Sequence, residues 1–197
     1  SDEYLALFDT ENDLRYHLFV LNRKGYATTV GEETYDDGIQ LYNRRSNKTL
    51  ENEGITYPEL LLMRAEAQAR LGGSHLSGAL ADLNLLRKYR YDNTTSTDLP
   101  GGASLTQDEL IEEILKERRR EQPLASYQRI YDLKRFVYDT GKPWCKTTIT
   151  HTIGTKEYKT NVDKNSFQMQ IKNSYIKYNP QWGLTEWEGT WDPKSAE

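Results

Sequence analysis

The sequence predicts a mainly α fold with short β and irregular segments, in which helical hairpins pack against loop-rich regions. Three observations carry this. Apolar residues recur at helical spacing only between Thr56 and Val137. Helix-start and helix-stop residues bracket such runs twice, and the flanks break into short runs bounded by Asn, Asp and Gly. A single domain over 1–197 accommodates all three zones: 1–56 extended and loop, 57–138 two helical hairpins, 139–197 an irregular insert and an aromatic tail.

In the first zone YHLFVL (Tyr16 to Leu21), YATTV and IQLYN read as strands or extended packing segments. The helical zone opens with Thr56 and Glu59 at capping-box spacing and with Pro58, whose missing amide suits a first turn. LLLMRAEAQARL follows, up to Gly72 and Gly73, where a left-handed residue ends a helix. Leu60, Met63, Ala67 and Leu71 make one stripe and Leu62, Ala65 and Ala69 another, which predicts neighbours on both sides. GALADLNLLRKYR closes the first hairpin through Ala79, Leu83 and Leu86.

The design then recurs. Thr106 and Glu109 form a second capping box, LIEEILKERRREQ runs to Pro123, and SYQRIYDLKRFVYD makes the last helix. Pro58–Arg90 and Leu105–Val137 are equal in length and close to the roughly 34-residue period of tetratricopeptide helix pairs. Beyond them, CKTTITHTIGTKEYKTNV alternates like a β-hairpin, and the tail holds Trp182, Trp187 and Trp191. The tail tryptophans read as packing residues.

Composition narrows the function. The chain has 197 residues, 28% of them charged, a formal net charge of -4 and a mean hydropathy of -0.85. No global field draws it to nucleic acid, and no stretch approaches the roughly 20 apolar residues of a membrane span. Cys145 stands alone and His17, His75 and His151 lie far apart, so no zinc spacing exists and no metal or cofactor is expected. There is no phosphate-cradling glycine loop and no Gly-x-Ser-x-Gly elbow. The acidic doublets Glu32/Glu33 and Asp36/Asp37 point opposite ways in extended chain, so no acid and base are singled out.

The run KERRRE, Lys116 to Glu121, resembles a phosphate-binding patch until it is placed on its helix. Helical increments from Ile111, Ile114 and Leu115 put Arg118 and Glu121 at the core edge and turn Lys116, Arg119 and Arg120 towards water. Arg118 then needs a carboxylate, with Glu121, Glu66 and Asp132 as candidates. The run carries +2, but Asp108, Glu109, Glu112 and Glu113 bring the helix to -2, the order that suits its dipole. The run is structural, with no nucleic-acid partner.

ITYPELLLMRAEAQARLG, ALADLNLLRKYR, ELIEEILKERRREQ and RIYDLKRF follow one another as in the SusD/RagB family, which the chain also resembles at DLRY (Asp13 to Tyr16) and YIKYNPQWG (Tyr175 to Gly183). It departs at QPLASYQ, where the family has a short Glu-Gly step, and it resembles only the family's C-terminal portion. The resemblance implies a non-catalytic surface lipoprotein of the outer membrane, anchored through an N-terminal part not present in this chain. It implies a function as well: capture of oligosaccharide or polysaccharide and delivery to a TonB-dependent SusC-like transporter. The alternative is a tetratricopeptide-like interaction scaffold that contacts the transporter without a sugar site of its own.

Sugar binding needs a flat aromatic face against C–H groups and polar partners for hydroxyls. Trp144, beside Pro143 at the entry of the insert, and Tyr158 on the returning strand are the candidate ligand residues. The competing expectation for Trp144 is a core anchor on the helix ends.

Overall fold

The computed structural model describes residues 2–23, 28–30, 33–35, 39–42, 54–94, 96–122, 127–153, 156–167, 171 and 173–184. Glu32, Asp36, Asp37, Trp187 and Trp191 lie outside the described residues. The elements are, in chain order, α1 (Asp2–Leu5), α2 (Leu14–Phe19), β1 (Val20–Arg23), β2 (Thr28–Val30), β3 (Glu33–Tyr35), β4 (Ile39–Tyr42), α3 (Tyr57–Leu71), α4 (Leu76–Arg87), α5 (Gln107–Glu121), α6 (Tyr127–Phe136), β5 (Thr148–Ile153), β6 (Lys156–Asn161) and α7 (Asn173–Tyr178). The fold is mainly α, with antiparallel two-stranded ladders β1–β4, β2–β3 and β5–β6.

The helix signals act as the sequence implies. Thr56 Oγ1 accepts the Glu59 amide at 3.4 Å, and α3 ends where Gly72 and Gly73 take φ of 72° and 55°. At α5 the capping box is complete, because the Glu109 carboxylate also accepts the Thr106 amide at 2.7 Å. At α3 it is half made: Glu59 Oε1 instead accepts from Gln128 at 3.0 Å and lies 3.7 Å from Arg118.

Helix α3 is central. Arg64 grips Asp82 of α4 at 2.6 Å and Gln107 of α5 donates to the Ala69 carbonyl at 2.9 Å, so both helices run antiparallel to it. Helix α6 runs parallel to α3, with Gln128 opposite Glu59 and Arg135 opposite Glu66. Ala65, Ala69 and Ala79 are fully buried, and small side chains here let the backbones close in. Gly78 shows how far: a Cβ there would stand 2.2 Å from Gln68 Oε1. Leu62, Leu83 and Ile114 fill the centre, each stabilising the fold by about 1.5–3 kcal/mol.

Three expectations are corrected. Tyr16–Phe19 is helix rather than strand, because Asp13 caps α2 by accepting the Arg15 amide at 3.0 Å, and strand begins only at Val20. The stripe Leu60, Met63, Ala67 and Leu71 has no neighbour among the described residues; Leu60 is 53% and Leu71 71% exposed. With α4 and α5 both on the Leu62–Ala65–Ala69 side, the other side of α3 is open among the described residues. Trp182 is half-exposed rather than packed.

Candidate functional site

Helix α5 sorts its charges by face, and not as helical increments from Ile111 suggest. Arg120, expected in water, is 6% exposed: it donates to the Leu7 carbonyl at 2.8 Å and to Glu117 at 2.6 Å. Glu117 is fully buried and also meets Arg15 at 2.6 Å and Arg87 at 3.5 Å. The reason lies outside the helix, because residues 4–16 cover its second face. Burial opposes ionisation of Glu117, but Arg120 and Arg15 outweigh it and hold the carboxyl below the ordinary glutamate value.

The four residues expected in ion pairs all form them, and of its three candidates Arg118 takes Asp132, at 2.9 Å, rather than Glu121 or Glu66. Glu121 takes Arg15 at 2.6 Å and Arg90 at 2.8 Å. Glu66 receives Arg135 and, at 2.8 Å, Arg70; burial raises its pKa, but these guanidiniums bring it below the ordinary value. Lys116 is tied to Glu113 at 2.8 Å and Glu112 at 3.1 Å, partners on its own helix.

Trp144 is 7% exposed and belongs to the core cluster. Its indole N–H donates to Asp139 at 2.6 Å, Asp139 accepts from Arg70 at 2.9 Å, and the Arg70 guanidinium lies 5.6 Å from the indole centroid. The ring is therefore locked in orientation. One side of it lines a cavity of about 160 Å³. Leu115 and Phe136 supply apolar wall, Tyr4 closes another side, and Arg119 from α5 and Arg129 from α6 bring charge. Tyr158 does not line this cavity; it stands on β6, opposite His151 in the hairpin register and 38% exposed. The two candidate ligand residues are thus not brought together there.

Arg119 and Arg129 escaped the sequence reading. Arg119 was expected in water, yet its guanidinium sits 5.1 Å from the Tyr4 centroid, and desolvation lowers its pKa. Arg129 is pushed down to about 10 by burial and by the charge of Arg119, with Asp132 and Glu3 offsetting part of this. No local pattern announces such a meeting, since it depends on how α6 returns to α5. A second recess of about 380 Å³, between Val137 and Val162, is larger but has no aromatic side chain in its lining. No cluster of metal-ligating side chains occurs among the described residues, and no described helix is long and apolar enough to cross a membrane.

A family model described as the SusD family matches residues 9–186. The chain belongs to the SusD family. No curated protein and no solved structure matches it. The SusD family groups non-catalytic binding proteins with a general nutrient and glycan-binding role, associated with the outer membrane and with SusC-like transporters. The SusD match spans α2 through the 3-10 turn Pro180–Trp182, so both charge networks and Trp144, Arg119 and Arg129 fall inside it, while Glu3, Tyr4 and Leu7 of the cavity lining precede it.

Proposed function

We propose that this chain captures oligosaccharide at the cell surface, without catalysis, and passes it to a TonB-dependent outer-membrane transporter. Membership of the SusD family over residues 9–186 is the observation that carries this reading. The charge chemistry singles out no proton donor for glycoside cleavage among the described residues. A glycosidase acid needs a carboxyl whose pKa is raised. Every described carboxyl displaced from its ordinary value moves the other way: Glu3, Asp9, Glu66, Glu109, Glu117, Asp139 and Asp163 are all lowered. The proposal extends to a single domain across 1–197 and to an anchor outside this chain. In it Trp144 acts from the cavity wall, and Tyr158 offers a separate exposed ring.

A second reading rests on the open stripe of α3. Leu60, Met63 and Leu71 present apolar surface along one helix, as a scaffold that contacts the transporter would. Affinity electrophoresis and calorimetry against a panel of plant and host polysaccharides distinguish the two. Retardation by at least one polysaccharide is the expected result. Silence across the panel, with retention of the co-expressed transporter in a pull-down, overturns the sugar-binding reading in favour of the scaffold.

A further inference from the structure

Ion pairing in this fold is thorough, and the Trp144 cavity departs from it. Of the arginines whose side chains are described, all but Arg119 and Arg129 reach a carboxylate oxygen at 3.5 Å or less. These two come from different helices, α5 and α6, and line the same cavity. The other cations at its rim are already neutralised: Lys116 by Glu112 and Glu113, and Lys146 by Glu3 at 2.8 Å. Among the described residues lining the cavity, the cations without a direct ion pair are therefore this one arginine pair, partly offset by the more distant Asp132 and Glu3 and set against Leu115, Phe136 and Trp144.

Two like charges in one half-buried enclosure repel each other and have shed part of their water. Desolvation lowers the pKa of both guanidiniums, and the charge of Arg119 adds to the lowering at Arg129. An anion between them relieves both costs, because a guanidinium fork donates two parallel N–H···O bonds to a carboxylate or sulfate. The aromatic wall adds a face for C–H groups. Size sets a further limit. An apolar cavity of about 150 Å³ holds a benzene ring, so about 160 Å³ holds one six-membered ring rather than a chain.

We propose that the cavity between Arg119, Arg129 and Trp144 is an anion-selective subsite that takes a single acidic sugar ring, a uronate or a sulfated residue, of an oligosaccharide. This rests on the glycan-capture reading and names the ligand class of that reading's Trp144 wall. The two guanidiniums bind the anionic oxygens, and Trp144, fixed by Asp139, stacks against the ring.

Calorimetry at low salt tests it with three oligosaccharides of equal length: neutral, uronate-containing and sulfated. One acidic ligand is expected to bind at least about tenfold tighter than the neutral one, and which arm responds tells carboxylate from sulfate. Arg119→Gln and Arg129→Gln are each expected to lower that preference, read as the ratio of acidic to neutral affinity, by about tenfold. Arg129→Lys, which keeps the charge and loses the fork, should fall between. Lys177→Gln, an exposed change on α7, is the control for general charge. Equal affinity for neutral and acidic ligands, an acidic preference that survives both arginine changes, or an equal loss in Lys177→Gln overturns the subsite and leaves glycan capture standing. No binding in any arm overturns both.

Discussion

Arg15 of α2 and Glu117 of α5 meet at 2.6 Å in the interior, 4% and 0% exposed. The contact is held by charge rather than by an aligned hydrogen bond, since Glu117 Oε1 has no well-directed donor. Around it Asp13, Arg87, Arg120 and Glu121 complete a network joining the N-terminal segment to the helices.

Removing one member leaves its partners buried with fewer counter-charges, although Arg15 keeps Asp13 and Glu121. Glu117→Gln keeps the volume but strips the carboxylate from Arg15, Arg87 and Arg120. Loss of one partner of a buried ion pair costs about 3–5 kcal/mol. Equilibrium urea denaturation at pH 7 should show a fall of that size; a fall under about 1 kcal/mol would remove the network from the account of stability.

Acid should act through the same groups. Glu117 and Glu66 both have folded-state pKa values below the ordinary 4.5. Their contribution is therefore present above about pH 4.5 and lost as pH falls through the lower folded values. Tm should be level near neutrality and drop below about pH 4.5, and the drop should be shallower in Glu66→Gln. A Tm as high at pH 3 as at pH 7 would contradict this.

The two stripes of α3 predict opposite outcomes for one substitution type. Leu62, 1% exposed, is in the core cluster, and Leu62→Ala should cost about 2–5 kcal/mol. Leu60, 53% exposed, should change stability by no more than about 0.5 kcal/mol when replaced by Ala. Comparable losses in chemical denaturation would show that the open stripe is covered.

Thr106 and Thr56 differ in what their caps do. Thr106→Ala breaks a box closed from both sides and should lower stability by about 1 kcal/mol. Thr56→Ala should cost less, because the Glu59 carboxylate keeps Gln128 and Arg118. Thermal melting of the two variants side by side checks the order.

Arg129 should behave unlike any paired arginine. Its charge is desolvated without a carboxylate at salt-bridge distance among the described residues, so Arg129→Met should be neutral or raise stability, on the order of 1 kcal/mol after screening. A loss above about 1 kcal/mol would mean that the guanidinium already has a stabilising partner.

Much of the fold was legible because its signals are local. The cap at Thr106, the glycine pair at the end of α3 and the alternation of β5 and β6 each concern residues a few positions apart. Where local readings fell short, a distant segment had intervened. Asp13 turned an apparent strand into α2 by capping it, and residues 4–16 buried Arg120, which increments along α5 alone turn to solvent. The candidate site was half legible. Trp144 could be named from its position beside Pro143, but its partners in the cavity could not.

Residue type and spacing suffice for which segments coil and which charges need partners, since backbone hydrogen bonding and helical periodicity act within a turn or two. They also carry the family assignment. Which carboxylate each arginine takes, and which arginines take none, was decided in three dimensions. Arg118 chose Asp132 over Glu121 because α6 returns along α3, and the same return set Arg129 and Arg119 on one cavity with no described carboxylate at salt-bridge distance from either. Coulomb energy depends on distance and desolvation, and neither is defined until the helices have packed.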